Sequence, residues 1–148
     1  MATVQSVPTP THLWVVGILS LLWNAFGAAD YTMTELGNLA WFEMMGLGAE
    51  ELAWTQTFPT WVVAAWAVGV WGSVAGSILL LSRSRFAVTA FLLSILGALA
   101  SFAYQFTAEG KPAQLEGGAA VAMPVVILIL IVAQWYYARR QAAAGVLG

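Results

Sequence analysis

The run Val125-Val126-Ile127-Leu128-Ile129-Leu130-Ile131-Val132 decides the fold. Eight consecutive apolar residues do not alternate, so they cannot be a strand of a membrane barrel, whose residues face lipid and lumen in turn. The stretch around them, 119–138, carries no charge and is about as long as a helix needs to cross the hydrocarbon core, roughly 20 residues. Three more stretches meet the same test: 13–29, 61–81 and 86–106. The pattern predicts an all-α integral membrane protein, a four-transmembrane-helix bundle forming a single domain over 1–148.

Composition agrees. Of 148 residues, 61% are hydrophobic and 8% charged, against roughly 25% charged in soluble domains. Such a chain has too few charges to cover a water-facing surface, and the lipid bilayer is its natural partner. The net charge of −2 leaves no basic stripe to neutralise phosphates, so nucleic acid is not expected as a partner. Cysteine is absent, which removes disulfides and thiolate chemistry.

The connections indicate orientation. Ser82-Arg83-Ser84-Arg85 permits only a tight turn between the second and third spans, and Arg139 and Arg140 follow the fourth. These two places hold four of the five cationic residues, and short loops rich in Lys and Arg stay in the cytoplasm. Both termini are therefore expected in the cytoplasm. Asp30, Glu35, Glu43, Glu50, Glu51, Glu109 and Glu116 fall on the outer side with Lys111. Trp14, Trp61, Trp135, Tyr136 and Tyr137 stand where an aromatic belt belongs. Gly27 and Ala29 resemble a signal-peptide cleavage site, but no Lys or Arg precedes the first span, so cleavage is not expected.

The outer connection, 30–58, is long for a plain turn. Thr34-Glu35 and Ala49–Trp54 are candidate helix starts, and Leu36, Leu39, Phe42 and Met45 recur at helical spacing. Short interfacial helices and an irregular loop packed on the bundle stay equally open, with Trp41 and Trp54 dipping into the interface in the former.

Trp23-Asn24-Ala25-Phe26-Gly27-Ala28-Ala29-Asp30-Tyr31-Thr32-Met33-Thr34, Pro59-Thr60-Trp61 and Ala64-Ala65-Trp66-Ala67-Val68-Gly69-Val70-Trp71-Gly72 carry a resemblance. Together they resemble an uncharacterised family of small bacterial inner-membrane proteins with four predicted spans, some of them labelled sugar-transporter-like. The resemblance implies a bacterial membrane protein and supplies no site residues.

Two groups of residues stand out. Ala65, Gly69, Ser73 and Ser77 repeat every four positions, with Gly72 and Gly76 beside them, a face that lets helix backbones approach closely. Its partner is a helix of the same chain or a second copy in a homo-oligomer or larger complex. The other group is polar. Ser20, Asn24, Gly27 and Tyr31 on the first span, and Ser94, Ala98, Ser101 and Gln105 on the third, share the spacing i, i+4, i+7, i+11. If these faces meet, Asn24, Asp30, Tyr31, Tyr104 and Gln105 converge in an outward-opening pocket walled by Trp23, Phe26 and Trp61 or Trp66. The alternative is plain hydrogen bonding between helices. For Asp30, capping of a following surface helix or simple solvation is the expected role, with binding of a proton or a cation the alternative.

No catalytic or metal-ligand spacing occurs, and His12 stands without Cys, Asp or Glu nearby in sequence. No cofactor is expected. The sequence thus favours a non-enzymatic membrane protein that self-associates or joins a larger assembly. Binding or transport of a small solute, for example a sugar, through the outer pocket is the alternative.

Overall fold

The computed structural model describes residues 6–148. Four long helices account for most of them: α1 (Thr11–Glu35), α4 (Thr60–Leu81), α5 (Phe86–Thr107) and α6 (Gly118–Ala143). Each is long and apolar enough to cross a membrane, which marks the chain as a multi-pass membrane protein. Two short helices, α2 (Leu39–Met44) and α3 (Ala49–Thr55), join α1 to α4, and a single 3-10 turn (Ala113–Glu116) precedes α6. Leu19, Leu22, Trp61, Phe86 and Ile129 are all more than half exposed, as residues facing lipid should be.

The four stretches expected from hydropathy fall within these helices, two of which run further: α6 continues past Ala138 through Arg139 and Arg140 to Ala143, and α1 is extended as well. The first helix does not stop at Ala29 but continues to Glu35. Polarity rises at Asp30 without breaking the backbone ladder, and the helix ends only where Gly37 takes φ +66°. Thr34 is therefore inside α1 and opens no new helix. Gly37 and Gly46, at φ +66° and +79°, cut the Leu36–Met45 stretch down to α2. Asn38 caps that helix, its side chain accepting from the Trp41 backbone N–H at 3.0 Å. The backbone N–H of Gly48 donates to Glu51 at 2.7 Å at the start of α3.

Helix α4 packs between α1 and α5, and α5 packs on α6. Of the small residues of α4, Ala65, Gly69, Gly72 and Gly76 are turned to α5, whereas Ser73 and Ser77 meet α1. A Cβ placed on Gly97 would lie 2.5 Å from the Ala65 carbonyl oxygen and 2.7 Å from the Gly69 nitrogen. One on Gly69 would lie 3.1 Å from the Ala98 nitrogen, one on Gly72 3.2 Å from the Ser94 Cβ, and one on Gly76 2.6 Å from the Phe91 ring. Ser94 donates its hydroxyl to the Gly69 carbonyl across the same seam. Ser94 and its α5 neighbours therefore meet α4, joined to them by a four-residue turn, and not the polar face of α1.

The arginine-bearing end is tied together by Arg83, which takes φ 58° after α4. Its backbone N–H bonds the Leu80 carbonyl and that of Ser84 bonds Leu79, closing the helix as a glycine usually would. The guanidinium donates to the carbonyls of Val146 (3.1 Å) and Val7 (2.9 Å), and the Gly148 N–H donates to the Arg83 carbonyl. Those hydrogen bonds offset the cost, about 1 kcal/mol or more, of a non-glycine residue in the left-handed region. Val146 and Leu147 are buried with Leu13, Leu80 and Phe91 in the apolar core.

Gly97 is the position where added volume has least room, because the obstructing atoms are backbone. Gly97→Ala is expected to destabilise the protein by about 1–3 kcal/mol, seen as a lower melting temperature in detergent. Gly27→Ala, with nothing within 4 Å of the new methyl, should melt with the native protein.

Candidate functional site

Two polar arrangements lie inside the bundle, at different depths. The deeper one centres on Asn24, which is buried. Its amide nitrogen donates to the Ser73 carbonyl (3.2 Å), Ser77 Oγ (2.9 Å) and Gln134 Oε1 (2.8 Å). Ser77 in turn donates to the Ser73 carbonyl at 3.0 Å. One side chain thus ties α1 to α4 and α6. The arrangement supplies hydrogen bonds across helices and holds no titratable group.

The second arrangement is a cavity of about 210 Å³ at the carboxylate-bearing end. Asp30 and Thr34 of α1, Trp66 of α4 and Gln105 of α5 form its floor and walls, while Trp41, Phe42, Met45, Leu47, Trp54 and Thr55 roof it from α2, α3 and the link between them. Asp30 accepts the Trp41 indole N–H on Oδ1 at 2.8 Å. A carboxylate has about four lone-pair directions, so this bond leaves acceptor capacity at the site. Gln105 donates to Ser101 Oγ at 2.9 Å. Trp54 stands edge-on to Phe58 with ring centres 4.8 Å apart, and Phe58 stands edge-on to Tyr104 at 5.6 Å. A smaller adjoining cavity of about 80 Å³ shares Trp54, Gln105 and Leu115. At that side the Lys111 ammonium lies 5.9 Å from the centre of the Trp54 ring and 5.5 Å from that of Phe106.

The structure brings together only some of the residues singled out by sequence. Asp30 and Gln105 line the same cavity. Asn24 does not join them. It meets α4 at Ser73, seven residues and so about 10 Å along the helix from Trp66. Tyr31 and Tyr104 pack edge-on against Trp66 and Trp61, at 5.0 and 5.7 Å. Those two tryptophans are five residues apart, roughly 140° around α4, so the tyrosines lie on different faces of it. Trp23 and Phe26 are exposed, off the buried stripe Leu13, Gly17, Ser20, Asn24 and Ala28, and Trp23 does not line the cavity. Asp30 caps no helix: it lies within α1 and holds the indole of Trp41 instead. His12 pairs with the Tyr137 hydroxyl at the arginine-bearing end.

Sequence reasoning does not assemble Trp41, Trp54, Trp66 and Thr34 into one site. The spacing within a helix tells which residues share a face, but these four come from separate elements whose meeting depends on how α2 and α3 fold back. Among the described residues, no three His, Cys, Asp or Glu side chains are grouped to hold a metal ion. No protein family, curated protein or solved structure matches the chain, so its role rests on this geometry.

Removing the Asn24 side chain leaves Ser77 and Gln134 without their donor. Asn24→Ala should lower stability in detergent by roughly 0.6–2 kcal/mol. Combined with Gln134→Ala, the loss should fall short of the sum of the two single effects, because both remove one bond. Additive losses would mean that the two side chains act separately.

Proposed function

We propose that this chain is a small non-enzymatic membrane protein that binds a small solute in the roofed cavity at its carboxylate-bearing end. The cavity itself is the observation that carries this reading. Ligand sites are concave and mostly apolar, with a few placed polar groups. Here Asp30, Thr34 and Gln105 stand among three tryptophans. A purely adhesive role is less well supported, because the small residues of α4 that could have met a second copy are taken up within the chain, by α5 and by Asn24 of α1.

All seven carboxylates belong to the same end as the cavity, and all four arginines to the other. Arg139 lies over the Trp135 ring at 4.8 Å and Arg140 over Tyr136 at 6.0 Å, a pairing of cation and aromatic suited to a headgroup layer. By the positive-inside rule the arginine end faces the cytoplasm, with both termini, and the cavity opens outward from a bacterial inner membrane. Helices α2 and α3 then lie at the outer interface.

The chain has no cysteine, so single introduced thiols report without background. In intact cells a membrane-impermeant thiol reagent should label Glu50→Cys and leave Ser84→Cys untouched. Thr34→Cys, although the native side chain is only 2% exposed, should react with a small neutral methanethiosulfonate because position 34 lines the cavity. Reversed labelling of positions 50 and 84 would overturn the orientation, and inert thiols at both position 34 and, in Thr55→Cys, the half-buried lining position 55 would overturn the ligand site.

A further inference from the structure

We infer that the cavity beneath α2 and α3 takes a small organic cation, a primary or quaternary ammonium. The ammonium lies beside the Asp30 carboxylate among the indoles that line the space; this rests on the reading of the cavity as a ligand site. Three indoles, Trp41, Trp54 and Trp66, line a space of about 210 Å³ that also contains one carboxylate. Tryptophan has the most favourable ring for a cation, and cages of such rings recognise ammonium groups. The volume lies below the roughly 300–1,000 Å³ of drug-sized sites, so the ligand is small.

Asp30 is held for this task. Its Oδ1 accepts the Trp41 indole N–H at 2.8 Å, which fixes the carboxylate and the Trp41 ring relative to each other. The hydrogen bond is made by a neutral donor and leaves the negative charge uncompensated by it. The surrounding face is acidic as well: six further carboxylates share this end with a single cation, Lys111. A concentration of one sign around a low-dielectric cleft raises the local concentration of the opposite ion. The chain also supplies an internal precedent, since the Lys111 ammonium already rests over Trp54 from the adjoining cavity. A neutral polyol would use the rings and Gln105 but would gain nothing from the charge.

The test uses the full-length protein in nanodiscs, with choline as the cation, 3,3-dimethylbutan-1-ol as its uncharged isostere, and glucose as a neutral polyol. In the Thr34→Cys protein, choline should slow modification of the introduced thiol saturably, while the alcohol and glucose should not. Asp30→Asn keeps an acceptor for Trp41 and removes only the charge. It should raise the choline concentration for half-protection roughly tenfold or more, whereas Asp30→Glu should bind choline more tightly than Asp30→Asn does. Direct binding of radiolabelled choline to the protein without the cysteine, and to its Asp30→Asn form, gives the same comparison if Thr34→Cys disturbs the fold. Equal protection by the neutral probes, no binding of choline, or indifference to Asp30→Asn would overturn the cation assignment. A reactive thiol at position 34 with any of these results leaves the cavity as a site for another solute; inert thiols at positions 34 and 55 together with no direct choline binding remove both.

Discussion

The approach of α4 and α5 to backbone contact is the constraint on which the remaining structure depends. At Gly97 there is no room for a single methyl group, because the Ala65 carbonyl and the Gly69 nitrogen occupy its place. In lipid there is no hydrophobic drive to bring helices together, so close packing and hydrogen bonds must do it. The seam supplies both: glycines on each helix, and the Ser94 hydroxyl donating to the Gly69 carbonyl. With α4 fixed on one side by α5, its other polar residues, Ser73 and Ser77, are left to meet Asn24 of α1. Gln134 of α6 completes that connection. The bundle is held by short-range geometry, not by buried charge.

Towards the carboxylate end the small residues of the seam give way to Trp61, Trp66, Phe102 and Tyr104. Bulk replaces backbone contact there, and the chain between α1 and α4 folds over the opening. The roof is itself secured by side chains, through Trp41 on Asp30 and through Gln56, whose amide donates to the Thr34 carbonyl at 2.9 Å. The seam and the roof are thus secured by separate contacts, with the cavity between them. The opposite end is closed, with Arg83 bonding both terminal segments and Leu147 buried beneath them. One end is therefore built as an anchor and the other as a hollow.

The long helices were legible in the sequence because their signal is local: uncharged runs of sufficient length, ended by turn residues. The extension of α1 to Glu35 was not, since hydropathy records where polarity begins and the helix ends only at a left-handed glycine. Of the polar spacing on α1 and α5, Ser20, Asn24, Ser94 and Ser101 are interior, while Gly27, Tyr31, Ala98 and Gln105 are only half-buried. It could not say which helix each face would meet. For α5 the turn at 82–85 decides that, by holding the helix against α4. The cavity was least legible, because Trp41, Trp54 and Trp66 are far apart in sequence and share no period. Asp30 is the instructive case. Its residue type suits a helix cap, yet its position within α1 leaves it to an indole eleven residues away.

Both the cavity and the Asn24 connection depend on α4 and α5 meeting face to face within one chain, and a pair of introduced cysteines measures this directly. A Cβ on Gly72 would lie 3.2 Å from that of Ser94, close to the roughly 3.5–4.5 Å of disulfides. In a chain otherwise free of cysteine, Gly72→Cys with Ser94→Cys should form a bond within the monomer under mild oxidation in membranes. Its electrophoretic mass should remain that of one chain, with both thiols consumed. Covalent dimers, or two free thiols on a folded protein, would contradict the seam and with it the placement of everything built upon it.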